Sequence, residues 1–186
     1  MNSKAKKVAV IGMLSAISYV VLVLVKFPIM TVSPTFSLSY EGKDIVITLG
    51  GLIFGPMTAL ITSIIVSFIE MITISTTGFI GFFMNVISSC AFACTAAIIC
   101  RKMRSVVGDF IGLAAGVLLS TGCMILWNYV VTPIYMGIPR DAVASMLLPI
   151  FLPFNLIKNG INAILLFIMY SPISLALRKT RLLETK

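Results

Sequence analysis

Long apolar runs alternate with short polar connections along the whole chain. About 20 apolar residues in a helix cross the roughly 30 Å hydrocarbon core of a bilayer. The runs therefore predict six membrane-spanning helices, over about residues 8–25, 44–54, 57–74, 79–100, 107–131 and 152–177. The breaks between them have chemical causes. Lys26, Phe27 and Pro28 end the first run, and Gly55-Pro56 makes a tight turn after the second. Asp44 is placed to cap the second helix, and Gly50-Gly51 weaken its middle. Residues 75–78 form a short turn, Arg101, Lys102 and Arg104 form the next connection, and Pro133, Gly137, Pro139, Arg140 and Asp141 mark another loop. Pro172 is a kink site near the end of the last run. Residues 29–43 are too polar for lipid and too long for a tight turn. They predict an ordered outer loop, with a short hairpin at the alternating Thr35-Phe36-Ser37-Leu38-Ser39-Tyr40.

The last run opens with an interruption of its pattern. Asn155, Lys158, Asn159 and Asn162 recur at i, i+3, i+4 and i+7 and share one helix face. Such a stripe is expensive in lipid, so it faces the protein interior or a water-filled cavity. Taken alone it supports two readings: amides that join helices beside a lysine reaching for the interface, or the wall of a ligand site. Depth separates them. Glu70, Asn85, Asn128, Asn155, Lys158 and Asn159 all fall within roughly 10 Å of the outer surface at about 1.5 Å per residue. Interhelical amides have no reason to gather at one depth on one side, whereas an outward-facing pocket does. Tyr40, Glu41 and Asp44 are placed to cover it, with Phe36, Leu38, Met71, Phe79, Phe82, Phe83 and Trp127 as apolar walls. Asn162 lies deeper and reads as helix–helix contact at the pocket floor.

Composition fixes the class. Of 186 residues 59% are hydrophobic and 11% charged, against roughly 25% charged in soluble domains. One all-α, polytopic bundle over residues 1–186 accounts for the length, with no sizeable soluble domain. The net charge of +8 does not imply nucleic acid. Lys4, Lys6, Lys7, Arg101, Lys102, Arg104, Arg178, Lys179, Arg181 and Lys186 fall on one side of the predicted spans, and Lys26, Lys43, Arg140 and Lys158 on the other. This asymmetry predicts cytoplasmic termini and an outer loop between the first two helices. The first run shows no signal-peptide cleavage pattern. Cys90, Cys94, Cys100 and Cys123 lie in apolar sequence and read as small buried side chains.

The chemistry on offer is binding. The chain has no histidine, no Ser-His or Cys-His pair and no phosphate-cradling Gly-Lys-Ser/Thr loop. An intramembrane enzyme built on Glu70 and Lys158 lacks a nucleophile–base pair, and a pore would need polar residues through the full depth. No metal or cofactor set is evident. Carboxamides suit a planar ligand with adjacent donor and acceptor edges. Lys158 offers donors to ligand oxygens, or a partner for Glu70.

Four runs carry a resemblance that spans the chain: Val8-Ala-Val-Ile-Gly-Met-Leu-Ser-Ala16; Tyr40-Glu-Gly-Lys-Asp44 leading into Gly50-Gly-Leu-Ile-Phe-Gly-Pro56; Trp127-Asn-Tyr-Val-Val-Thr-Pro-Ile-Tyr-Met-Gly137; and Pro153-Phe-Asn-Leu-Ile-Lys-Asn-Gly160. The sequence resembles the substrate-binding membrane subunits (S-components) of energy-coupling-factor (ECF) vitamin transporters, and among them the riboflavin-specific ones. The resemblance implies a multi-pass cell-membrane protein with riboflavin in an outer cavity, contacted by Asn128, Asn155 and Lys158. It leaves flavin mononucleotide open as a second ligand, and thiamine or a biotin-like acid as the alternative vitamins. It also implies a coupling membrane protein and two ATPase subunits as partners. The family's Ala-x-x-x-Ala docking motif on the first helix corresponds to Gly12 and Ala16. Packing inside the bundle is the other reading of those two residues.

Overall fold

The computed structural model describes residues 3–33 and 36–179, with side chains placed for 4–30 and 37–175. Pro34, Arg181 and Lys186 lie outside the described residues, as do the side chains of Phe36, Arg178 and Lys179. Seven helices and one hairpin follow in order: α1 (Ser3–Leu24), β1 (Lys26–Ser33), β2 (Phe36–Glu41), α2 (Lys43–Phe54), α3 (Pro56–Thr73), α4 (Gly78–Met103), α5 (Val106–Met136), α6 (Arg140–Met146), a π-helical turn (Leu147–Phe151) and α7 (Leu152–Lys179).

Helices α1, α3, α4, α5 and the continuous α6–α7 rod are long and apolar enough to cross a membrane. Helix α2 has 12 residues and reaches only roughly 18 Å. The hairpin sits at the N-terminal end of this helix, because β2 runs into α2 through Gly42 alone. Three contacts identify one end of the bundle. Arg101 Nη1 donates to the Ile53 carbonyl at 3.2 Å, Cys100 Sγ reaches the Asp109 carbonyl at 3.6 Å, and Ser174 donates to Asp109 Oδ2 at 2.9 Å. At the other end, Tyr19 of α1 donates to Thr73 at 2.9 Å.

The outward and inward faces invert the soluble pattern. Val20, Leu118, Leu126, Ile164 and Ile168 are exposed, while Ser15, Ser18, Thr48, Ser63, Ser67, Asn159 and Asn162 are buried. A hydrocarbon solvent does not repel leucine, so polar side chains retreat to helix interfaces.

Local chemistry sets the turns. Gly55 adopts φ 113°, which suits glycine, and Pro56 opens α3. Ser105 caps α5 by accepting the Gly108 N–H at 2.9 Å. The Gly50-Gly51 pair does not break α2. It allows close approach instead: a Cβ on Gly50 would stand 2.7 Å from Leu14 Cδ1, and one on Gly51 2.8 Å from Ala59 Cβ. The predicted hairpin is present and begins earlier, at Lys26. Lys26 pairs with Glu41, Phe27 with Tyr40 and Met30 with Leu38. Pro28 is accommodated because a two-stranded ribbon leaves donors unpaired on its edges.

The expected loop around residues 133–141 is a correction. Helix α5 runs through Pro133 to Gly137, and α6 begins at Arg140. Proline lacks a donor and predicts a stop, yet a transmembrane helix held by neighbours tolerates the lost hydrogen bond. Pro149 and Pro153 lie four apart and each lacks an N–H. The ladder slips there to a wider π turn, with the Leu152 N–H on the Leu147 carbonyl.

Helices α4 and α5 approach closely at two glycines of α5, with Gly112 against Ala96 and Cys100 and Gly116 against Phe92, while Ala93 and Ala97 face Gly51 of α2. A Cβ on Gly116 would lie 2.8 Å from the Phe92 carbonyl oxygen. Gly116→Ala is therefore expected to cost about 1–3 kcal/mol by forcing the backbones apart. Thermal unfolding in detergent checks this, and an unchanged midpoint would rule out a close-packed seam.

Candidate functional site

A cavity of about 340 Å³ opens beneath the hairpin. β2 supplies Ser37, Leu38 and Ser39 to its wall, α3 supplies Glu70, α4 Met84, Asn85 and Ser88, α5 Met124, Trp127, Asn128 and Thr132, the π turn Phe151, and α7 Phe154, Asn155 and Lys158. The depth match seen in the sequence is thus a convergence in space: Leu38, Glu70, Asn85, Asn128, Asn155 and Lys158 face one cavity.

Four other expected residues fall elsewhere. Tyr40 is buried behind the wall and donates to Asn162 Oδ1 at 2.7 Å, tying the hairpin to α7. Burial first, and Asp44 second, push its phenol pKa up, so the donating form persists through neutral pH. Asp44 does not cap α2. Gly42 is the N-cap, and the Asp44 carboxylate instead accepts from Ser89 and pairs with Lys158 at 3.4 Å. Asn159 is buried outside the wall, one position round the helix from Lys158. Phe83 is 53% exposed. On α4 the inward face carries Gly81, Met84, Asn85 and Ser88, and Phe83, two positions before Asn85, lies on the opposite side. Phe82 and Phe83 stack edge to face on the outside with Phe68 of α3, and Phe79 is exposed as well. The aromatic wall is therefore Trp127, Tyr135, Phe151 and Phe154.

The cavity amides are oriented by backbone carbonyls one turn back in the chain. Asn155 Nδ2 donates to the Phe151 carbonyl at 2.8 Å, inside the π turn. Asn128 Nδ2 donates to the Met124 carbonyl at 2.7 Å, and Thr132 donates to Asn128 Oδ1 at 2.9 Å. The Asn155 oxygen is left available as an acceptor, beside the ammonium donors of Lys158.

Lys43 is the main residue that sequence reasoning missed. It is fully buried, and its ammonium bridges Glu41, at 2.6 Å, and Glu70. Lys26 adds contacts of 3.0 Å to Glu41 and 3.8 Å to Glu70, and Asn85 donates to Glu70 at 3.0 Å. Lys158–Glu70, one of the two roles open to Lys158 in the sequence, is replaced by Lys158–Asp44 and Lys43–Glu70. The reason is chain order: Lys43 opens α2 just after the hairpin, so its side chain lies between Glu41 and the end of α3. The alternation of charged residues in Glu41-Gly42-Lys43-Asp44 was the available signal. Burial alone would raise the Glu41 carboxyl, but Lys43, Lys158 and Lys26 outweigh it and hold it well below the usual carboxylate range. A depressed carboxyl stabilises the fold above its unfolded value of about 4.3 and stops doing so as pH falls through its folded value. The hairpin contact is therefore in place from neutral to mildly acidic pH. Three ammonium groups and three carboxylates meet around the cavity, so its formal charge sums to zero.

Gly12 and Ala16 lie together on the exposed face of α1, and nothing approaches a Cβ built on Gly12 within 4 Å. Packing inside the bundle is thereby excluded for this pair. Among the described residues, no cluster of potential metal ligands exists.

Comparison with known proteins bears on the whole chain. The model of the family described as "ECF transporter, substrate-specific component" matches residues 6–170. The chain is similar to the Riboflavin transporter FmnP of Bacillus subtilis (strain 168), 28% identical over 181 residues, which cover 91% of this chain and 94% of that protein. It is also similar in structure to the S component of a bacterial ECF transporter, with a TM-score of 0.76 and 27% identity over 94% of this chain and 99% of the other.

Proposed function

The chain belongs to the substrate-specific components of ECF transporters, and from that premise we propose that it captures riboflavin from outside the cell for ATP-driven uptake. As a transporter component it is a membrane protein and not an enzyme. The observation that carries the riboflavin reading is the cavity itself: apolar walls, amides held in fixed orientation and an electroneutral set of charges. An uncharged, planar ligand with donor and acceptor edges meets these demands. A cationic vitamin would need surplus acid in the wall and an anionic one surplus base, and neither is present. Riboflavin transport by the Bacillus relative points the same way. Energy would come from ATPase subunits through a coupling membrane protein, docked on the bare face of α1 at Gly12 and Ala16.

Quenching of flavin fluorescence on titration with the purified protein tests the assignment. Saturable binding is expected at submicromolar to micromolar riboflavin, without competition by thiamine or biotin. Asn155→Ala and Lys158→Ala should each weaken binding by roughly 1–3 kcal/mol, because a ligand group is left buried and unpaired. Absence of binding at micromolar ligand sinks the riboflavin assignment. Unchanged affinity in both variants would return the two residues to a packing role.

A further inference from the structure

Asp44 belongs to the cavity's surroundings without touching the cavity. Its side chain is 2% exposed and contributes nothing to the wall. It joins two helices: Ser89 of α4 donates its hydroxyl to Oδ1, and Oδ2 lies 3.4 Å from the Lys158 ammonium of α7. Lys158 does reach the cavity. The other two acids in the cluster are already engaged, Glu41 and Glu70 by Lys43 and Lys26. Among the described residues Asp44 is thus the carboxylate within ion-pair distance of Lys158, and it is itself anchored in the first turn of α2, where the helix dipole favours a negative charge.

A lysine head is a point charge on a flexible stem and has no preferred direction of its own. Ordering such a chain costs rotamer entropy. A ligand that had to impose this order would bind more weakly by the same amount. Burying the ammonium also requires a counter-charge, since an unpaired buried ion is strongly unfavourable. One carboxylate meets both needs, provided its own orientation is fixed, and the Ser89 hydroxyl supplies that.

From these contacts we infer that Asp44 is a positioning residue for ligand capture: with Ser89 behind it, it fixes the Lys158 ammonium at the cavity wall, so that its remaining N–H bonds meet an oxygen of the bound flavin. The inference rests on the riboflavin reading. It differs from the sequence expectation in that Asp44 acts through Lys158 and not on the ligand.

A double-mutant cycle on the full chain tests it, read by riboflavin affinity from fluorescence quenching. Asp44→Asn and Lys158→Met should each weaken binding by roughly tenfold to a hundredfold. Asp44→Asn combined with Lys158→Met should lose no more than the larger single loss, because the acid acts only through the lysine. Ser89→Ala removes a single hydroxyl and protects the test against misfolding of the aspartate variant. It should weaken binding severalfold in the native background and not at all on top of Lys158→Met. Losses that multiply in either pairing overturn the inference, since Asp44 or Ser89 would then act independently of Lys158.

The same cycle in ligand-free protein separates this from the riboflavin reading. Asp44→Asn should lower the unfolding midpoint, and adding Lys158→Met should restore much of it by removing the unpaired charge. Wild-type protein that fails to bind riboflavin defeats the vitamin assignment, while the pairing still stands or falls on that thermal cycle. Additive losses of midpoint overturn the pairing itself.

Discussion

Lys43→Met is expected to lower stability by on the order of 3–5 kcal/mol, a large share of the roughly 5–15 kcal/mol that holds a protein folded. The reason is asymmetry. A buried ion pair gains little over a well-packed apolar pair, but removing one partner leaves the other charge without compensation. Here the lost partner serves two acids at once: Glu41 of the hairpin at 2.6 Å and Glu70 of α3. Lys26 alone would remain, with its side chain 35% exposed and 3.8 Å from Glu70. The hairpin would keep only this weak contact to α3, and the cavity would lose part of its cover. Thermal unfolding in detergent should show a large drop in midpoint. Adding Glu70→Gln should recover part of it, because the orphaned charge goes with it. A Lys43→Met protein that unfolds with the wild type would show that the bridge contributes nothing.

Gly12→Leu combined with Ala16→Leu should abolish uptake in cells while leaving riboflavin affinity unchanged. Both residues sit on the exposed face of α1, one turn apart, in the least buried of the candidate membrane spans. Their small side chains allow another helix to approach closely, and leucines would hold it away. Because nothing in the bundle lies within 4 Å of a Gly12 Cβ, the larger side chains fit without disturbing the fold. Uptake and binding measured on the same variant separate the two roles. Normal uptake would remove this face from the proposed partner surface, and lost binding would mean that α1 supports the cavity.

The cavity was legible to an unequal degree. Asn155 and Lys158 stood out because a polar stripe at helical spacing is conspicuous in an apolar run, and Glu70, Asn85 and Asn128 joined them by depth. Phe83 misled because depth places a residue along a helix but not around it. Only the packing of α4 against α5 decides which side of Asn85 turns inward. Lys43 was hidden for a different reason. A lysine between a loop and a helix normally belongs to solvent, and its burial follows from the docking of the hairpin onto α3, between residues far apart in the chain. Pro133 reads as a break in the sequence because the cost of proline is local, whereas the forces that carry a helix past it come from its neighbours.

The sequence by itself determined the solvent, the element type and the depth at which the polar side chains gather. Each follows from quantities that add along a chain: apolar length against bilayer thickness, and helical spacing of polar groups. Tertiary structure alone decided which lysine meets which acid, that Asp44 serves Lys158 and not a helix end, and that Lys43 binds hairpin to bundle. Ion pairs inside a membrane protein are chosen by side-chain reach, where a difference of a few ångströms settles the partner. Such distances exist only once α2, α3, α4, α7 and the hairpin have closed on one another.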